Sequence, residues 1–362
     1  MISTAAKMPE PDAVVSFLYD APEVSATEFA AELLATTTET ETGIDSYSIG
    51  GAVEEFETAF ARLIGKEKAV FMPTGTLANH LAVRMLMRGK SRVLLQERGH
   101  LYNDSGDCLQ KLSGINAVAL GRGKATFGLD EVKAAFENAE AARVEASIGA
   151  IAIETPVRRM HGELFDQGEM EAICDFARGR GVGLHLDGAR LFIASAYSGI
   201  PVDSYASAFD TVYISLYKYF NAPSGAVLAG PARLMDGLYH ERRMFGGGLN
   251  QAWIFAATAL RSLTSFQERF AQAVAVSEVF KQILAGIPGL AVSNIPGGTN
   301  VFKLIPRNDI DPSSMHDTMS KLGVKLPPPE SGTFYLKVNE SILSTPPAEL
   351  AGRFAEAVRA KG

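Results

Sequence analysis

The chain has 362 residues, 47% of them hydrophobic and 21% charged, with a formal net charge of −7. That length supports one large domain and a smaller one, and the acidic balance argues against nucleic acid or an anionic membrane as the main partner. Two cysteines, Cys108 and Cys174, are too few for a disulfide framework and fit a reducing compartment, and no apolar run approaches the ~20 residues of a membrane span.

In chain order, MISTAAKMPEPDAVV has no basic segment followed by an apolar one, so no secretory signal is expected and a soluble, cytoplasmic location is the default. Residues 1–45 read as an N-terminal arm. Helical spacing of Val53, Phe56, Phe60 and Leu63 predicts a helix there, followed by a strand over 68–72. PTGTLANHLAVRMLM then turns into a second helix with Leu77, Leu81, Met85 and Met87 as its apolar stripe. Strands are expected at 92–96, 148–154, 183–187, 211–216 and 225–229, and helices at 130–142 and 169–180. This alternation predicts an α/β architecture with a mainly parallel sheet over 46–248. After Gly246–Gly248 the character changes. A long helix over 250–285, strands at 301–305 and 333–338, and a closing helix carrying Leu350, Phe354 and Val358 predict a connecting helix and a small α+β domain over 249–362.

The chemistry concentrates in HLDGARLF at His185–Phe192 and SLYKYFNAPSGAVLAG at Ser215–Gly230. Asp187 ends an apolar strand, where open α/β sheets place their ligands. Lys218 follows another apolar strand in a segment with no other charge from Thr211 to Leu228, where a buried ammonium needs neutralisation or covalent use. A lysine that carries pyridoxal phosphate and a carboxylate that keeps its ring nitrogen protonated form the pair this cofactor requires. PTGT at Pro73–Thr76 offers backbone amides and hydroxyls at a helix start, suited to a phosphate, although Thr76 as a plain helix cap competes with that role. His100 follows the strand at 92–96, where an imidazole can stack on a planar cofactor or serve as a satisfied loop residue. No metal site is expected, and no G-x-G-x-x-G lies between a strand and a helix.

These segments resemble the threonine aldolase group of the beta-eliminating lyase family, fold-type I pyridoxal phosphate enzymes. The likeness covers roughly residues 45–260, carried by Pro73–Asn79, His100, HLDGARLF, the Lys218 segment and RRMFGGG at Arg242–Gly248. It implies a fold-type I large domain, with Lys218 carrying the cofactor, Asp187 at the pyridinium nitrogen and His100 on the ring face. Gly75 and Thr76 hold the phosphate, and Arg190 lies near the substrate carboxylate or the cofactor. It also implies a homodimer or homotetramer with shared active sites, in which Arg242 serves the neighbouring subunit's phosphate and Tyr47 crosses the interface.

The implied activity is cleavage of a β-hydroxy-α-amino acid to glycine and an aldehyde. β-Elimination on an aromatic amino acid, racemisation, transamination, or a catalytically silent cofactor-binding protein are the alternatives. The departures lie in the substrate shell. Leu18–Ala21 replaces the family's S-D-T, Glu154–Val157 replaces E-N-T-H without its histidine, and Tyr335 stands where the carboxylate-binding arginine belongs. Arg158 or Arg159 is a candidate replacement clamp, since a guanidinium forks onto a carboxylate, and His161 a candidate replacement base, against solvated loop charges as the alternative. Tyr217, Tyr219, Phe220, Phe245 and Trp253 form a candidate aromatic neighbourhood for a larger substrate, or else core.

Overall fold

The central strands read as apolar runs because both of their faces are covered, and every residue of Ile148–Glu154, Gly183–Asp187 and Thr211–Ser215 is buried. The computed structural model describes residues 14–39 and 42–359, without the side chain of Thr264. Its larger unit spans Val24–Glu268 and Ile295–Asn300. Seven strands cross it in the order Lys68–Met72, Ala226–Gly230, Thr211–Ser215, Gly183–Asp187, Ile148–Glu154, Arg92–Gln96 and Asn116–Leu120. Ala226–Gly230 is antiparallel to both neighbours and the other pairings are parallel. The expected α/β architecture with a mainly parallel sheet is therefore present. The carboxyl ends of six strands open on one edge of the sheet, where the loops between strand and helix converge.

Two helices set the geometry of that edge. Gly51–Leu63 buries Val53, Phe56 and Phe60, as the spacing predicts. Gly75–Met87 is capped by Thr74, whose Oγ1 accepts from the Leu77 amide at 3.2 Å. Of the expected stripe it buries Leu81 and Met87, leaves Leu77 and Met85 half-buried, and encloses Ala78, Asn79, His80, Ala82, Val83 and Leu86 as well. The helix lies within the unit, against the sheet on one side, and each large apolar side chain so enclosed contributes about 1.5–3 kcal/mol.

The smaller unit comprises Arg269–Asn294, Val301–Gly362 and the residues up to Glu23. Its three antiparallel strands run in the order Phe334–Lys337, Val301–Pro306, Leu290–Asn294, with helices Pro312–Lys321 and Pro347–Arg359. Leu350 and Phe354 are fully buried, as their spacing predicts. The expected N-terminal arm over 1–45 gives way to ordered structure where it is described. Val15–Ser16 pairs in parallel with Val324–Lys325, and Phe17 packs on Phe280, Phe302 and Phe354. Ala26–Glu39 is a helix of the larger unit. The expected boundary after 248 also moves, to Glu268, inside the helix Trp253–Ala285. Phe266 packs on Phe192, Tyr219 and Phe220 in the larger unit, whereas Ala273, Phe280 and Leu284 belong to the smaller unit's core. One helix thus feeds two cores. Among the described residues, no helix is long and apolar enough to cross a membrane.

Candidate active site

At the carboxyl edge of the sheet a cavity of about 160 Å³ is lined by Gly75, Thr76, His100, Asp187, Arg190 and Lys218, together with Glu154, Tyr213, Tyr217 and Ser224. Six side chains or amides singled out in the sequence therefore meet in one place, from loops that follow four different strands.

Gly75 and Thr76 form the first turn of their helix, and because Thr74 is the cap, Thr76 lines the cavity instead of closing the helix. Only glycine fits at 75. A Cβ there would lie 2.0 Å from the Tyr213 hydroxyl oxygen. Asp187, 4% exposed, accepts from Asn79 Nδ2 at 2.6 Å and from the Ala189 amide at 3.2 Å. Lys218 sits in the turn after Thr211–Ser215, half-buried, with Nζ 5.6 Å from the centre of the Tyr217 ring. Arg190, 8% exposed, caps the helix Leu191–Ser198.

His100 opens the helix His100–Asn103, and its Nδ1 is buried without a hydrogen-bond partner among the described residues. Burial holds its pKa below the usual imidazole value, against the opposing pull of Asp187, so the ring is neutral at pH 7. Glu154, which opens the segment Glu154–Val157, also lines the cavity, a placement beyond the sequence expectation. Its carboxylate accepts from the backbone amides of His100 and Arg158, and burial, aided by the nearby Asp187 charge, pushes its pKa up to about 7. Glu154 and Asp187 end adjacent strands in direct register. The signal available for this was the matching acidic end of two apolar strands.

Six expected residues lie elsewhere. Arg158 and Arg159 both hold Asp104, at 2.6 and 2.7 Å, and keep its carboxyl below the ordinary range. Arg158, expected as the carboxylate clamp, is outside the cavity lining, with its guanidinium paired to Asp104 on another loop. Arg242, expected at a neighbouring subunit's phosphate, is 1% exposed. It donates to the carbonyls of Phe71 at 2.6 Å and of Tyr47 and Ser48 at 3.2 Å each, all in its own chain. Tyr47, 42% exposed with φ 52°, stacks beneath Arg243 at 4.3 Å and does not line the cavity. Tyr335 is in the smaller unit, opposite Lys303 on the paired strand. His161, the candidate base, closes the turn after Arg158–Met160 outside the cavity lining. Of the aromatic group only Tyr217 lines the cavity, whereas Tyr219 and Phe220 are core, packed with Phe192 and Phe266.

Pyridoxal phosphate can be tested against this donor set. The cavity offers amides at the start of a 13-residue helix, an amine, a buried carboxylate and an imidazole with an orphaned Nδ1. These are the contacts a phosphate, an aldehyde carbon, a ring nitrogen and an aromatic face each call for, so the residues fit the group.

The beta-eliminating lyase family model matches residues 25–302. The low specificity L-threonine aldolase of Saccharomyces cerevisiae is 30% identical over 237 residues, 65% of this chain and 60% of the relative. Low-specificity L-threonine aldolase 1 of Arabidopsis thaliana is 30% identical over 210 residues, 57% of this chain and 58% of the relative. The chain thus spans about three-fifths of the length of the curated relatives it matches. A crystal structure from Exiguobacterium sp. 255-15, provisionally named an aromatic amino acid beta-eliminating lyase/threonine aldolase, superposes with TM-score 0.79 at 25% identity, covering 96% of this chain and 98% of the other.

Proposed function

The chain belongs to the beta-eliminating lyase family, and from that premise we propose that it is a pyridoxal phosphate-dependent lyase cleaving a β-hydroxy-α-amino acid to glycine and an aldehyde. The observation that carries this reading is the convergence of Lys218, Asp187, His100 and the Gly75–Thr76 helix start on one cavity. Lys218 would hold the cofactor, Asp187 its ring nitrogen, His100 its face, and the Gly75 and Thr76 amides its phosphate. Bound there, the cofactor supplies an electron sink for the pair released at Cα.

The remaining chemistry falls to the chain itself. With Arg158 and Arg159 tied to Asp104, Arg190 is the arginine that lines the cavity and the candidate partner of the substrate carboxylate. A carboxylate fixed there would set which bond at Cα is strained toward cleavage. The β-hydroxyl proton would pass to the neutral imidazole of His100, which lines the cavity, as the Cα–Cβ bond breaks and the aldehyde carbonyl forms. Glu154 holds the His100 backbone and so the start of its helix.

The acidic charge and the two free buried cysteines favour a soluble, cytoplasmic enzyme. Exposed Ile44, Tyr47, Ile49 and Met244 favour self-association, which light scattering of the purified chain would measure as a dimer or larger. The activity is tested by supplying cofactor-loaded protein with L-threonine, L-allo-threonine and L-phenylserine. Glycine and aldehyde should appear in equal amounts, and Lys218→Ala should abolish both. Cofactor uptake with no matched release would move the reading to elimination, racemisation or transamination.

A further inference from the structure

Asp187 is the visible end of a buried chain of hydrogen bonds. Its Oδ2 meets Asn79 Nδ2 at 2.6 Å, Asn79 Oδ1 meets His185 Nε2 at 2.8 Å, and His185 Nδ1 meets Thr211 Oγ1 at 2.9 Å. Asn79, His185 and Thr211 are each 0% exposed. The polarity of the chain follows from its far end. An amide directs its nitrogen to a carboxylate, which leaves its oxygen for His185, and that oxygen requires a proton on Nε2. The other ring nitrogen then accepts from the Thr211 hydroxyl. Burial holds His185 neutral, and Asp187 is the charged group that acts on it. Turning the amide over would set its oxygen against the Asp187 carboxylate, so the buried contacts favour this one direction.

The chain also ties three elements together. His185 and Thr211 lie in direct register on neighbouring strands, and Asn79 stands in the second turn of the helix that begins at Gly75. The link therefore runs from the strand bearing Asp187 to the helix whose first amides line the same cavity.

We propose that Asn79, His185 and Thr211 are positioning residues that fix the direction of the Asp187 carboxylate and its distance from the Gly75–Thr76 amides, so that one rigid cofactor engages both. This rests on the assignment of Asp187 and the helix start to pyridoxal phosphate. A purely structural role for the three residues would alter stability alone. The positioning role also predicts weaker cofactor binding by protein that is still folded.

The test uses full-length protein freed of cofactor and compares wild type with Thr211→Val, His185→Leu and His185→Gln. Circular dichroism confirms folding, fluorescence titration gives the dissociation constant for pyridoxal phosphate, and a pH titration follows the visible absorbance of the lysine-bound cofactor. His185→Leu should weaken binding roughly tenfold or more, the scale on which outer-shell partners act. It should also shift the midpoint of the absorbance titration, and His185→Gln, which keeps a donor toward Asn79, should restore much of both. Thr211→Val, nearly isosteric and suited to a strand, should move both readouts in the same direction and keeps the test open if His185→Leu does not fold. Folded variants with wild-type affinity and midpoint would overturn the relay and leave the cofactor assignment standing. Wild-type protein that takes up no pyridoxal phosphate would overturn both.

Discussion

Arg158 and Arg190 are two arginines with opposite surroundings. The first is 44% exposed on its side chain and bound to Asp104, and the second is 8% exposed and lines the cavity. Arg158→Ala is therefore expected to leave KM for a β-hydroxy amino acid within about twofold of wild type, since exposed pairs contribute ~0–1 kcal/mol. Arg190→Ala removes a charge-assisted partner of the substrate carboxylate worth about 1.5–3 kcal/mol and should raise KM ~10–100-fold in steady-state kinetics. Equal effects from the two substitutions would place the carboxylate somewhere other than Arg190. The sequence suggested both arginines for the same task. It could not separate them, because the deciding partner, Asp104, lies more than fifty positions upstream on another loop.

At the scale of elements, the helix Gly75–Met87 starts where it does because Thr74 caps it and because residue 75 passes directly under Tyr213. Gly75→Ala should keep the far-ultraviolet spectrum of the fold yet lose most of its cofactor uptake, as the Tyr213 ring is displaced into the cavity. Retained uptake would show that the ring can yield. The strands Arg92–Gln96 and Gly183–Asp187 were legible to the residue, since apolar runs ending in a polar side chain mark both edges of a buried strand. Asn116–Leu120 was missed because it is the sheet's edge, exposed to half-exposed, and its short apolar run is built mostly from small side chains. The helix Ala26–Glu39 buries only Thr36 and so carries no stripe to read. The meeting of Lys218, Asp187, His100 and Gly75–Thr76 in one cavity was legible from local context together with the family resemblance. Asn79 and His185 were not, because their roles arise only when residues 106 positions apart meet.

Across the whole molecule, desolvated ionisable groups shape stability against pH from opposite sides. Glu57, half-buried, accepts from the Phe71 amide, and desolvation pushes its pKa from 4.5 to about 7. A carboxyl raised in this way costs nothing below its unfolded pKa near 4.5, and the cost grows as pH rises through 7, to about 3 kcal/mol. Glu57→Gln, which keeps the acceptor, should therefore raise the melting temperature at pH 8 and leave it nearly unchanged at pH 4. His185 has the reverse sign. Its pKa falls from 6.5 to about 4, so the neutral ring costs nothing above 6.5 and the fold loses stability as pH falls toward 4. In cofactor-free protein, His185→Gln should flatten the acid side of the melting curve between those values, and an unchanged slope would mean the ring is not held neutral. The pairing of Val15–Ser16 with Val324–Lys325 has a consequence for synthesis on the ribosome. Phe17 emerges roughly 300 residues before the strand beside it, and at cellular translation rates of ~5–20 residues per second it waits on the order of 15–60 s for its partners. Throughout that interval the nascent chain displays an unsheltered aromatic segment, a natural station for a chaperone.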